Sequence, residues 1–90
     1  MEVAIVTIRN KRGIHCRPAA LIAREAKLFD THEILVRYSR HDPVDARDLL
    51  GLISLGLPAG SMIEVLVSGP DEAFVGQRFA GLFQGNFDFD

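Results

Sequence analysis

The chain is poor in cysteine and in two of the three aromatic residues. It has one cysteine, one tyrosine and no tryptophan in 90 residues. A lone cysteine cannot close an intrachain disulfide, which agrees with a reducing compartment. No apolar run approaches the roughly 18 residues that span a bilayer, so no membrane segment is expected. The start, MEVAIVTIRN, lacks the basic n-region of a signal peptide and puts Glu2 where Lys or Arg would stand. A cytoplasmic location is the expectation. An excess of positive charge is missing too. The formal net charge is −2, which argues against a nucleic acid held by bulk attraction to phosphate. There is no internal repeat, linker or low-complexity tract. CxxC and HxxxH spacings are also absent, so neither a metal nor a cofactor is expected. What remains is ordinary for a soluble domain: 48% hydrophobic and 24% charged residues. That length supports one domain over 1–90, with a thin core.

VAIVTI (3–8) is apolar and β-branched, and it predicts a strand that NKRG (10–13) breaks. Over 16–29, Ala19, Ile22, Ala23, Ala26 and Phe29 recur at the spacing of an amphipathic helix. ILVRY (34–38) predicts a second strand. SRHDP (39–43) is turn chemistry, and Val44 opens a short returning strand. DARDLLGLISLG (45–56) predicts a short helix, capped by Asp45 or Asp48 and ended by Gly56. SMIEVLV (61–67) is a strand with Ile63, Val65 and Val67 on one face. GPDEA (69–73) starts a helix lined by Phe74, Val75, Phe79, Leu82 and Phe83. The order βαββαβα points to an α+β domain whose antiparallel sheet is covered on one side. His32 and His41 are expected at the surface, and GNFDFD (85–90) reads as a loose tail or an extra edge.

RGIHCRPAA (12–20) concentrates the chemistry. Gly13 permits a sharp turn between strand and helix, which puts His15 at the helix start. Pro18 is tolerated in the first turn and lacks an N–H, leaving those of Cys16 and Arg17 to point outward. A helix N-terminus attracts anions, and Arg17 adds a planar cationic fork suited to phosphate. Both favour the neutral imidazole, which is a nucleophile. Two readings of His15 stand at this point: a surface cap, or the acceptor in reversible phosphoryl transfer without metal or cofactor. A thiol or metal site built on His15 and Cys16 is disfavoured. Adjacent residues rarely ligate one zinc, and no base held by a third group is visible.

GIHCRPAA resembles the signature G-[IL]-H-x-R-P-A of the histidine-containing phosphocarrier (HPr) family of the bacterial phosphotransferase system. RDLLGLISLG (47–56) and GSMIEVLVSGPDE (60–72) resemble two further stretches of that family, in the same order. The resemblance spans residues 3 to about 83. It implies an open-faced β-sandwich: four antiparallel strands with three helices on one face. It further implies that His15 takes a phosphoryl group on Nδ1 from enzyme I, charged by phosphoenolpyruvate. The group then passes to an enzyme IIA domain, with Arg17 steadying the phosphate. Such a protein is a carrier with a phosphohistidine intermediate and no turnover of its own. An apolar partner surface would comprise Cys16, Ala20, Leu21, Leu49, Leu50 and Ile53, with Arg24 and Lys27 at its edge. Partners would be transient and the chain a monomer, with a transcription regulator as a further partner. The alternative is a regulatory HPr-like module that signals metabolic state without sugar transport.

The chain departs from that pattern at two places, Asp48 and Arg12, and carries Cys16 where the pattern is variable. Asp48 stands where many members carry a regulatory serine, and it has no hydroxyl for HPr kinase to phosphorylate. It is read either as a helix cap or as a permanent partial mimic of phosphoserine. Arg12 replaces a small polar residue and is either a second cation near His15 or a solvated loop residue. Cys16 holds the variable position. It is read as a small contact residue or as a thiol whose oxidation blocks the site.

Overall fold

The computed structural model describes residues 1–85, so the tail beyond Gly85, with Phe87 and Phe89, lies outside the described residues. The elements are β1 (Glu2–Thr7), α1 (Cys16–Lys27), β2 (Glu33–Tyr38), β3 (Val44–Asp45), α2 (Leu49–Leu55), β4 (Met62–Ser68) and α3 (Glu72–Gln84). The strands form one antiparallel sheet in the order β1-β4-β2-β3. β4 comes last in the chain yet lies inside the sheet, paired on both sides. Its register sets Glu64 beside Ile5 of β1 and beside Arg37 of β2.

Alternation along the strands divides the sheet into two faces. Val6, Ile34, Val36, Ile63, Val65 and Val67 are buried and meet Ala19, Ile22, Ala23 and Ala26 of α1, Leu52 of α2, and Val75, Phe79 and Phe83 of α3 in one core. Phe29 packs edge-on against Phe79 with ring centroids 5.6 Å apart. The opposite face is open. There Val3 and Ile5 are exposed, and Arg37 pairs with Glu64 at 2.7 Å. Leu66 belongs to that open face but is 7% exposed. Its central position explains this, because Val3 and Leu35 flank it in register.

Several boundaries differ from the sequence expectation. α1 stops at Lys27, so Phe29 packs from the following turn rather than from the helix. α3 begins only at Glu72, and Asp71 holds the N-cap position in a left-handed conformation with φ 52°, without a side-chain capping hydrogen bond. Phe74 does not line the core. It is 69% exposed, because Val75, Phe79 and Phe83, four residues apart, already define the inward stripe. His32 is not simply a surface residue. Its Nε2 lies 2.6 Å from the Pro70 carbonyl, and its ring sits edge-on to Phe29. His41 is exposed and stacks on Tyr38.

Of the two candidate caps for α2, Asp48 is the one used. Its Oδ1 accepts a hydrogen bond from Gly51 N at 3.0 Å, while Asp45 lies in β3 and accepts from Arg47 N at 2.9 Å. Gly56 closes α2 at φ 63°. Asp48→Ala is expected to cost about 1 kcal/mol in urea unfolding, and Asp48→Asn nearly nothing, because asparagine caps as well. A loss equal in both variants would place the stabilisation in the charge instead of the cap.

Candidate functional site

His15 is delivered to its position by a pinned loop. Past the end of β1, Ile8 continues to pair with the chain entering β4. Its N–H donates to the Ser61 carbonyl at 2.9 Å, and its carbonyl accepts from Gly60 N at 2.7 Å. Asn10 is fully buried. Its Nδ2 donates to the Gly13 carbonyl at 2.8 Å, and its own carbonyl accepts from Gly13 N at 2.9 Å. This closes a tight turn over residues 10–13. Gly13 ends the turn at φ 70°. A Cβ there would stand 2.1 Å from the Leu57 carbonyl oxygen, so only glycine fits the approach. That same oxygen accepts from Ile14 N at 2.9 Å, and the Ile14 side chain enters the core.

The next residue, His15, is the N-cap of α1, extended at φ −93° and ψ −160°. Its side chain makes no capping hydrogen bond, and its carbonyl accepts from Ala19 N at 2.9 Å. The helix is therefore held by its backbone and by buried Pro18 and Ala19. The imidazole is partly buried, with Cys16 and Arg17 exposed beside it. Pro18 occupies the third helical position, where an N–H would have no intrahelical partner. The structure thus sets the imidazole at a helix start, with Arg17 exposed two residues on. The dipole of a 12-residue helix favours negative charge at this end. No enclosed cavity is found among the described residues.

The expected partner residues fall on two neighbouring helices, since α1 and α2 pack together. Cys16, Leu21, Arg24 and Lys27 are exposed on α1, and Ala20 is partly buried. On α2, Leu50 is 77% exposed, Leu49 is exposed and Ile53 is partly buried. Lys27 stands farthest from the imidazole, about 18 Å along the helix at 1.5 Å per residue. Arg12 is exposed at the third position of the 10–13 turn.

Sequence reasoning missed the residues that hold the loop. Asn10 was legible only as a strand breaker, although a buried asparagine bonded within its own turn is a common device. The Leu57 carbonyl leaves no side-chain signal. Arg47 also went unseen. It reaches from the start of α2 to donate to the His32 carbonyl at 2.6 Å and to the Phe29 carbonyl, fastening the turn after α1.

Residues 3–84 match the family described as PTS HPr component phosphorylation site. The phosphocarrier protein HPr of Treponema pallidum is 38% identical, over 98% of each chain. The HPr-like protein Crh of Bacillus subtilis is 32% identical, over 88% of this chain and 91% of its own length. Among solved structures, HPr from Bacillus anthracis superposes with a TM-score of 0.83 at 30% identity, covering 92% of this chain and 96% of that one.

Proposed function

The chain belongs to the HPr family of the phosphotransferase system, and on that premise we propose that it carries a phosphoryl group on His15. The observation behind this reading is the placement of His15 at the N-terminus of α1 with Arg17 two residues on. The neutral imidazole attacks the phosphorus of a donor phosphohistidine with a ring-nitrogen lone pair, which the family resemblance makes Nδ1. A new N–P bond forms as the donor's N–P bond breaks, and that bonding pair returns to the donor ring. Each ring keeps its N–H, so the exchange needs no net proton transfer. The first-turn amides and the Arg17 guanidinium would then face the phosphate. Transfer onward is the same step in reverse towards the acceptor ring.

Phospho-enzyme I, charged from phosphoenolpyruvate, is the proposed donor, and an enzyme IIA domain the proposed acceptor. Both would dock transiently on the exposed leucines of α1 and α2, with Arg24 and Lys27 at the rim. The chain would act as a cytoplasmic monomer. Its likeness to Crh, described elsewhere as the catabolite repression HPr of Bacillus subtilis, supports a second reading. In that reading the phosphorylated state of the same fold signals metabolic state to a regulator.

The test is incubation with labelled phosphoenolpyruvate and enzyme I. The expected product is a protein-bound phosphate that is labile in acid and stable in base, as a phosphoimidazole is. A folded sample that takes no label, with its cognate enzyme I also supplied, would overturn the carrier reading and leave the regulatory one.

A further inference from the structure

Among the described residues, charge is sorted between the two ends of the molecule. No acidic residue occurs from Val3 to Arg24, while Arg9, Lys11, Arg12, Arg17 and Arg24 all do. The strand registers show where this falls. The end of β1, the start of β4 and the start of α1 share one end of the molecule, because Thr7 pairs with Met62 and Ile14 bonds to Leu57. Glu2 pairs with Val67 and Glu33 with Ser68 at the other end. Asp30, Asp71 and Glu72 adjoin that second end, at the turn before β2 and the start of α3. The two ends are separated by the six paired residues of β1, about 17 Å at roughly 3.4 Å per residue, about twice the roughly 8 Å over which physiological salt screens charge. The turn over 39–43 adds one residue of each sign, Arg40 and Asp42, at the His15 end.

The three cations of the loop have no structural task. Ion pairs between described residues join Arg37 to Glu64, Arg47 to Asp45, Arg78 to Glu25 and the N-terminus to Glu72. Among the described residues, Arg9, Lys11 and Arg12 enter no ion pair and no side-chain hydrogen bond. All three are exposed. They are nonetheless held in a fixed array, because buried Asn10 clamps the turn that bears two of them and Ile8 anchors the third. This array lies beyond β1, at one edge of the sheet. The apolar surface of α2 lies over β3, at the other edge. His15 follows the loop directly in sequence and precedes α1, which packs on α2.

We infer that the loop over 9–12 is a second docking arm, a cationic one, which draws in a phosphoryl-transfer partner with an acidic surface beside its reactive group. The inference rests on the carrier reading above and adds where the partner's charge must lie. Fixed, unneutralised charge at the mouth of a site accelerates encounter rather than tightening the final contact. The arm's contribution therefore belongs in the association step and fades with salt.

The test uses the whole protein and an Arg9→Gln, Lys11→Gln, Arg12→Gln variant, all three exchanges being at exposed positions. Label uptake from phospho-enzyme I, at enzyme far below saturation, is measured over a range of salt. The variant is expected to keep the parent's thermal midpoint and to take label about tenfold more slowly at about 0.02 M salt. The two rates should converge near 1 M, where the screening length is about 3 Å. Equal rates at low salt would overturn the arm and leave the carrier reading standing. So would a deficit that persists undiminished at 1 M, which would mark a contact and not long-range attraction. No label on either protein would overturn the carrier reading and the arm with it.

Discussion

A His15→Ala variant should take no phosphoryl label from enzyme I and yet escape the roughly 1 kcal/mol that loss of an N-cap side chain usually costs. The chemical half follows from the mechanism, since the substitution removes the attacking nitrogen and no neighbour replaces it. Cys16 is next in sequence but is a different nucleophile, and Arg17 is none. The stability half follows from the cap. At most helix starts an alanine exchange at the N-cap costs about 1 kcal/mol, because it deletes a side-chain acceptor. Here the His15 side chain supplies no capping hydrogen bond, and the helix rests on its backbone bond to Ala19 N and on buried Pro18. Chemistry and fold are thus separable at this position. Label uptake and denaturant unfolding on one preparation check both halves. A variant that takes label normally would move the acceptor to another residue. One that fails to fold would show that the imidazole supports the helix after all.

Gly13→Ala is expected to damage both fold and transfer. A side chain at φ 70° costs roughly 1–2 kcal/mol in a left-handed conformation. The added Cβ would also meet the Leu57 carbonyl oxygen at 2.1 Å. Backbone cannot yield there without loss, because that oxygen holds Ile14 N, a bond worth about 1 kcal/mol net. Together these come to about 3 kcal/mol, and a domain of this size loses roughly 4–8 °C of thermal midpoint per kcal/mol. A fall of more than about 10 °C is therefore the expected reading in a melting experiment. Transfer should slow by well over tenfold even at temperatures where the variant is folded, since a misplacement of the order of 1 Å can cost about a hundredfold. An unchanged midpoint would mean that the segment after α2 gives way freely and does not position the site.

The contrast between these two residues shows what a sequence can reveal. Gly13 and Pro18 were legible because each carries its structural role in its own chemistry, a positive φ and a missing N–H, while His15 and Arg17 stood out by residue type as a nucleophile and a fork of donors. The strand periods and the α1 stripe were legible because burial is periodic along an element. Asn10 and Leu57 were not. Asn10 does its work by being buried, and turn composition gives no sign of burial. Leu57 acts through its backbone, from more than forty positions along the chain. Phe74 misled for the opposite reason, since an aromatic in an amphipathic helix looks inward until the neighbouring elements show where the core lies. The placement of His32 against Pro70 likewise needed two distant turns to be brought together.

The position of β4 has a consequence for synthesis. This strand is inserted between β1 and β2, and the residues just before it, Leu57 to Ser61, are the ones to which Ile8 and Ile14 are tied. A nascent chain that has emerged only as far as α2 has one short hairpin, β2 with β3, and no partner for β1. The loop bearing the histidine has nothing to close against at that stage. The geometry of the His15 loop is thus acquired late, once the residues around β4 are available to hold it.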